Sequence, residues 1–469
     1  MKNVIDQTSR SRWAERRTVE LPTPSVQLGH IHLVTVVWGE LHRNLLTEVS
    51  IPTILAPNNL PAIYKSVVIT YSIITTFHDA AIIRSSPAFR TLSKICEVNF
   101  IVQDTFRDRD IFSQHHYYQH QEQLWAKEKN ALLVTIVPDI AWGDGAFKYL
   151  KQKYDMGYRA FFIKCLRPNL ETFIKDFRLN FKPDKQNAVT ISNREMARLL
   201  IDHLHPLVVA QFADADHFAS FSEVILWRTE PNHTTKRVEG LLIRAPFPSD
   251  FLIVDPSAGF RLSDSQMLNE GLEFNTINFV TNSDQIMMVS LTPSMSYNEW
   301  YLDRGPMNLL DVAKISKDFG DQLTEAVLSQ QFRIHTGKVP VSGWSRAAHI
   351  SSLKMYRMYQ YRETLKIIAD LDELGCSIAA RLLAFALHEV HPLPHIKISD
   401  GATIFAPDNS CFKGTEKIDA LASDKDLLKT FLRGLIISGM PNPQTGQTRG
   451  YFHYNIIGPD ALKKRGLKI

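Results

Sequence analysis

Two carboxylates in the first third of the chain have the residue types and spacing that ligand chemistry needs. In "NALLVTIVPDIAWGDGAFKYL" (residues 130–150), six apolar or β-branched residues run unbroken over 132–137 and end at Pro138-Asp139. A second acid, Asp144, follows between Gly143 and Gly145. A carboxylate at the end of a buried strand is held in place. Two of them across a short loop can bind Mg²⁺ or Mn²⁺ through oxygen, and the ion can then neutralise a diphosphate. The glycines let backbone approach a ligand closely. The competing reading is that Asp139 caps the following turn and Asp144 fills a tight turn beside Gly145.

Other groups compete for attention. Trp38 and Gly39 end "IHLVTVV", and Asp79 follows "SIITT". Trp38 is suited to stack on a base and Asp79 to accept from a base or ribose. Equally, Trp38 reads as a core aromatic and Asp79 as the N-cap of "AAIIR". "DHLHP" (202–206) and "DADH" (214–217) set histidine beside aspartate, a pattern for metal ligation or a general base. "DADH" follows an apolar helix rather than a strand, which ranks it below Asp139. "LHEVHPLPH" brings His388, His391 and His395 together, but Pro392 breaks the helix that would align them. "TNSDQI" (281–286), with Asp284, reads as a bulge or hairpin turn between two strands.

The elements that position these groups are legible as an alternation. "IHLVTVV", "SVVITYSIITT", "EVNFIVQD", "ALLVTIVPD" and "YRAFFIKCL" read as buried strands, with helical patterns between them. "DAAIIRSSPAFRTLSKI" reads as two short helices split at Pro87, and Gly157 as the stop of "AFKYLKQKYDMG". Strand–helix alternation predicts an α/β fold with a mostly parallel sheet and helices on both faces. Ligands then sit outside the carboxyl ends of the strands. Those ends carry Trp38-Gly39, Asp79, Asp104, and Asp139 with Asp144, so polar groups gather at one rim. Between about 167 and 300 the pattern turns mixed, which predicts a β-rich extension; beyond 300 it is mainly helical. The expected organisation is a polar tail over 1–28, a ligand-binding domain over 29–300 and a helical region over 301–469.

Bulk properties exclude several classes. A chain of 469 residues with 44% hydrophobic and 22% charged residues has material for a packed core. The net charge of +4 is small, and basic residues are scattered apart from "SRSRWAERR" and "KKRGLK". A nucleic-acid partner is therefore not expected. The four cysteines form no CxxC pair, which reads as reduced thiols. No h-region opens the sequence and no run of about 18 apolar residues occurs, so a soluble, cytoplasmic protein without a transmembrane segment is expected. The sequence has no GxGxxG after the first strand, no Walker A loop and no GxSxG elbow. Those gaps disfavour dinucleotide-dependent enzymes, P-loop ATPases and α/β-hydrolases.

Taken together, "VTVVWGELHRNLLTEVSIPTILAPNNLPAI", "YSIITTFHDAAII" and "VPDIAWGDGAFKYL…GYRAFFI" resemble bacterial glycosyltransferase-like proteins of the GT-A type found among surface-glycan genes. The shared pattern takes in Trp38, Gly39, Pro52, Leu55, Pro57, Asn59, Leu60 and Pro61, then Asp139, Asp144 and Gly145. It covers about residues 30–300. "NSDQ" departs from an acidic "DSDE"-like step, leaving Asp284, and a DxD at a strand end is absent.

The resemblance implies a GT-A-like sheet and transfer of a sugar from a nucleoside diphosphate sugar to a glycan or lipid-linked acceptor. It implies a Mg²⁺ or Mn²⁺ ion on Asp139 and Asp144, with Trp38, Gly39, Asp79 and Asp104 around the nucleotide. His205 or Asp284 would be the base that removes the acceptor proton. The alternative it leaves open is a non-catalytic carbohydrate-binding or assembly protein that keeps the fold. The sequence leaves the oligomeric state open.

Overall fold

The computed structural model describes residues 27–103, 111–231, 236–249, 251–259, 274–320, 323–337, 339–373, 375–389, 402–405, 409, 423–438 and 454–457. The described residues up to Met307, together with Phe319–Ser351, form one compact unit. Asn308–Asp318 and the described residues from Ser352 onward form a second.

In the first unit, β1 (His30–Val36) leads into α1 (Glu40–Leu45), a π segment (Leu46–Ser50), α2 (Ile51–Ile54) and α3 (Leu60–Ile63). β2 (Val68–Thr76) is followed by α4 (Phe77–Ser85) and α5 (Pro87–Leu92). These two helices part at Ser86, whose backbone is extended because the proline that follows disfavours the helical region there. Then come β3 (Glu97–Gln103), α6 (Ile111–Glu128), β4 (Leu132–Thr135), β5 (Ile140–Trp142), α7 (Ala146–Asp155) and β6 (Ala160–Ile163). Helices α8 (Leu170–Asn180), α9 (Asn193–Asp202) and α10 (Pro206–Val209) precede β7 (Ile225–Arg228), β8 (Gly240–Arg244), β9 (Phe251–Val254), β10 (Ile277–Val280) and β11 (Met288–Ser290).

The main sheet has seven strands in the order β10-β6-β9-β4-β1-β2-β3. All neighbours pair in parallel except β9, which runs antiparallel to both β4 and β6. The expectation of a mostly parallel sheet holds. Consecutive residues of its strands feed two separate cores. Leu33, Val134 and Phe161 pack on one face, and Val34, Leu133 and Phe162 on the other. Each such large side chain, fully withdrawn from water, contributes about 1.5–3 kcal/mol. A strand buried on both faces must be apolar throughout, which is why these runs read as continuous rather than alternating. Helices cover both sides: α8 and α9 contribute Phe173, Phe177, Met196 and Leu200 to one core, while α5 and α7 contribute Phe89, Leu92, Phe147 and Leu150 to the other.

Chain order around β1 places a crevice. The chain builds β2 and β3 outward on one side of β1, then returns with β4 on its other side. At such a reversal the connections leave in opposite directions, and a cleft opens at the carboxyl ends of the two strands.

Two smaller sheets complete the unit. β5 pairs antiparallel with β11, setting Ile140 opposite Ser290 and Trp142 opposite Met288. β8 pairs antiparallel with β7 on one side and with β12 (Phe332–His335), which follows α12 (Thr324–Ser329), on the other. "TNSDQI" is neither a bulge nor a hairpin turn. It carries the chain from β10 in the main sheet to β11 in the small one, because β11 finds its partner in β5 rather than in its neighbour.

The second unit contains α11 (Leu309–Asp318), the part of α13 (Val341–Glu373) from Ser352, α14 (Ser377–Glu389) and α15 (Lys425–Leu435). Leu371, Leu382, Leu383, Leu428 and Leu432 form its helical core. A three-stranded sheet of β13 (Ala402–Phe405), β14 (Ile436–Ser438) and β15 (Tyr454–Ile457) joins the expected helices. Among the described residues, no helix is long and apolar enough to cross a membrane.

Candidate functional site

A cavity of about 450 Å³ opens in the crevice between β1 and β4. Its floor consists of residues that leave the strand ends. Val36 ends β1 and Val37 and Trp38 follow it; Val137, Pro138 and Asp139 follow β4; Cys165 and Arg167 follow β6. His42 of α1, His115 of α6, Ser290 of β11 and Tyr297 supply the walls. The placement follows from the sequence. β4 still pairs at Ile136, whose N–H donates to the Val34 carbonyl, but Pro138 has no N–H to continue the ladder. The chain therefore turns, and Asp139 is delivered to the crevice.

Asp139 is anchored on one side only. Its Oδ2 accepts from the Ser290 hydroxyl at 2.7 Å, and its carbonyl accepts from Leu291 N–H at 2.9 Å. Oδ1 is buried and has no hydrogen-bonding partner among the described residues. A buried carboxylate oxygen left unpaired carries a desolvation cost that a donor from a ligand would offset. The Ser290 hydroxyl in turn accepts from Arg167 Nη1 at 3.3 Å, and Thr292 accepts from the same nitrogen at 3.3 Å. Arg167 thus joins Asp139 through one hydroxyl. Burial works against the guanidinium charge, but Tyr297, Glu223 and Asp139 outweigh it and hold its pKa above the ordinary arginine value.

The Arg167 guanidinium also lies 5.2 Å from the centre of the Tyr297 ring. Tyr297 itself has φ +63°, in the left-handed region that a bulky residue rarely adopts. That backbone is held by its surroundings, with the Tyr297 ring 4.7 Å from that of Trp300. Such strain, about 1–2 kcal/mol, is kept where packing over-determines it and is common beside ligand sites.

The residues singled out from the sequence separate into groups. Trp38 and Asp139 meet in the cavity. Gly39 and Asp79 meet each other just beside it. Gly39 has φ +79°, and its N–H donates to Asp79 Oδ2 at 3.0 Å. Asp79 is 4% exposed and also accepts from the Thr76 hydroxyl at 2.9 Å and Arg43 Nη1 at 2.9 Å. It is not the N-cap of its helix. Thr76 is, and Asp79 N–H donates back to the Thr76 hydroxyl. Burial pushes the Asp79 carboxyl up, yet the donors from Gly39, Thr76 and Arg43 together hold it below its ordinary value. Asp79 therefore ties the turn after β1 to the start of α4.

Asp144 lies at the far end of β5 from Asp139. Its Oδ1 accepts from Asn58 N–H and its Oδ2 from Asn58 Nδ2, both at 2.8 Å. His205 is fully buried and caps α10, its Nδ1 accepting from Leu207 N–H at 3.0 Å while Nε2 donates to the Pro293 carbonyl at 2.8 Å. Burial lowers its pKa. Asp284 forms a two-pronged pair with Arg194, at 3.0 and 2.9 Å, and that guanidinium holds it below the usual carboxylate range. Neither His205 nor Asp284 lines the cavity. Asp104, His391 and His395 lie outside the described residues, as do residues 1–26 and the His388 side chain.

A divalent ion shared by Asp139 and Asp144 requires their oxygens to converge at about 2.0–2.6 Å from one point. The residues of β5 run extended between them, and at roughly 3.3 Å per residue they set the two acids about 10 Å or more apart along the strand. With both oxygens on Asn58, Asp144 does not fit an ion at Asp139. The orphaned Oδ1 of Asp139 does suit a cation or a hydroxyl donor. Among the described residues, no group of three or more His, Cys, Asp or Glu is placed to hold a metal ion.

Arg167, Ser290 and Tyr297 were not singled out from the sequence. Arg167 had a signal, as a cation directly after the acid-free strand pattern "YRAFFIKCL" and just before Pro168. Ser290 had none, since it reaches Asp139 from 151 residues away.

No protein-family model matches the chain, and no curated protein sequence matches it. Solved structures similar to it include mouse xyloside xylosyltransferase 1 in its apo form, 11% identical with a TM-score of 0.23. That match covers 32% of this chain and spans 58% of the mouse protein. Another is a mannosyltransferase from Pyrobaculum calidifontis in complex with GDP-Man and Mn²⁺, 12% identical with a TM-score of 0.29, covering 90% of each chain. Scores this low carry no argument about activity, which rests on the geometry above.

Proposed function

We propose that the protein is a glycosyltransferase that transfers a sugar from a nucleoside diphosphate sugar to a glycan or lipid-linked acceptor, in surface polysaccharide or glycoconjugate synthesis. The observation that carries this reading is the cavity at the chain-reversal crevice, where Trp38, Asp139 and Arg167 converge from three strand ends. Trp38 offers a flat apolar face for a base or sugar ring. Asp139 Oδ1 accepts from a ligand hydroxyl, and Arg167 presents a cation to phosphate. In the transfer, the acceptor oxygen bonds to the anomeric carbon while the bond from that carbon to the diphosphate breaks. The nucleoside diphosphate leaves with the electron pair, and the acceptor proton passes to a base. His42 and His115 stand on the cavity walls as imidazoles for that proton.

Thermal-shift measurement of the full chain against a panel of nucleoside diphosphates and their sugars, with and without Mn²⁺, tests the reading. A ligand present at about 100 times its Kd stabilises by about 2.7 kcal/mol, a clear rise in Tm. Asp139→Asn and Trp38→Ala are expected to abolish that rise and leave the unliganded Tm within a few degrees. No shift with any donor, in wild type and variants alike, contradicts the reading.

A second reading is a carbohydrate-binding protein without turnover, and the commitment of Asp144 to Asn58 favours it. It predicts a thermal shift with free sugars and no release of nucleoside diphosphate from any donor.

A further inference from the structure

Among the described residues, one carboxylate, Asp139, lines the crevice where a cation-assisted transfer needs at least two converging ligands, and a guanidinium, Arg167, lines it too. Building on the proposed transferase reading, we infer that Arg167, rather than a divalent ion held by aspartates, neutralises the diphosphate as it leaves. Asp144 is set aside by β5 and by both its bonds to Asn58. Arg167 enters from the end of β6, on the same rim as Asp139, and lines the cavity. Both hydroxyls that accept from it, Ser290 and Thr292, take Nη1. Nε and Nη2 have no hydrogen-bonding partner among the described residues, and together they form the edge of the fork that engages two oxygens of a phosphate side by side.

The scaffold around Arg167 is built to aim it. Ser290 and Thr292 hold one nitrogen from β11 and the residues after it, and the Tyr297 ring backs the guanidinium plane at 5.2 Å. Its link to Asp139 runs through the Ser290 hydroxyl and not through a direct ion pair, since Ser290 donates to Asp139 and accepts from Arg167. Tyr297, Glu223 and Asp139 support the charge, and the Nε–Nη2 edge is left to a ligand. In the bond-breaking step the electron pair moves onto the oxygen between the anomeric carbon and phosphorus. Arg167 donates hydrogen bonds to the diphosphate as that charge grows, and its own proton count does not change. Fixed donors aimed at developing charge act without reorganising at the moment of reaction.

The test is a titration of the full chain with the nucleoside diphosphate that gives the largest thermal shift, in EDTA and in Mn²⁺. Wild type is expected to bind with the same Kd, within about twofold, in both. Arg167→Gln is expected to weaken binding roughly 10- to 100-fold, as loss of a charged hydrogen-bonding partner does. Arg167→Lys keeps the charge, loses the fork and is expected to fall between the two. Binding by wild type that appears only with Mn²⁺ overturns the inference and leaves the donor-binding reading standing. The absence of binding under either condition overturns both. The chelation arm uses wild type alone, so it decides the matter even where a variant fails to fold.

Discussion

At the scale of single residues, the same side-chain type serves opposite ends according to what surrounds it. Asp139 and Asp79 both follow buried strands of the main sheet. Asp139 retains an orphaned oxygen at the cavity, whereas Asp79 has spent its oxygens on Gly39, Thr76 and Arg43. The Asp79–Arg43 pair is nearly dry, with side chains 5% and 11% exposed. Removing one member of such a pair leaves the other charge buried and costs about 3–5 kcal/mol. Asp79→Asn is therefore expected to lower unfolding stability by about 3 kcal/mol in urea melts. Because the folded pKa of Asp79 lies below the unfolded one, its contribution is complete above the ordinary carboxylate value. It is lost as pH falls through the lower folded value, and the variant should not show that acid-range loss. A sequence that supplies an acid after a strand cannot tell these two fates apart. The difference lies in Arg43, which is brought to Asp79 by the turn that Gly39 makes.

At the scale of elements, the caps and turns hold the crevice open. His205 caps α10 with one ring nitrogen and ties the segment after β11 with the other, through the Pro293 carbonyl. This arrangement needs the neutral ring, and burial lowers its folded pKa below the ordinary 6.5. The unfolded chain then binds the proton more readily than the folded one. Stability is complete above about 6.5 and declines as pH falls below it. Urea melts between pH 7.5 and 5.5 are expected to show that decline, and His205→Asn, which retains a capping oxygen, should flatten it at lower overall stability. An unchanged slope in the variant would assign the acid sensitivity elsewhere. These are structural duties, and they explain why "DHLHP" drew attention as chemistry. A histidine that both accepts and donates looks the same in sequence whether its partners are backbone or substrate.

At the scale of the whole chain, alternation was legible and adjacency was not. Runs of β-branched and apolar residues announced the strands of the parallel sheet, because strands buried on both faces tolerate little else. They did not announce that β9, far downstream, would slip between β4 and β6, or that β11 would pair with β5. Those non-local pairings bring Ser290 to Asp139 and separate Asp139 from Asp144. The rim of polar strand ends was therefore readable, but the pairing of its members was not. Arg167 was passed over because a cation after a strand carries no motif of its own. The carboxyl ends of β1, β4 and β6 nevertheless share one cavity, as a sheet with its reversal at β1 and β4 requires.

Cys165 offers the most direct measurement of that claim, since it is half-buried and lines the cavity, while Cys96 and Cys376 are buried. Alkylation of the native chain with a small maleimide, read peptide by peptide by mass spectrometry, reports whether a ligand occupies the crevice. A nucleoside diphosphate sugar at saturation is predicted to slow modification of Cys165 at least tenfold and leave Cys96 and Cys376 unchanged. Undiminished modification of Cys165 by a chain shown to be saturated with donor would place the donor elsewhere and contradict the account.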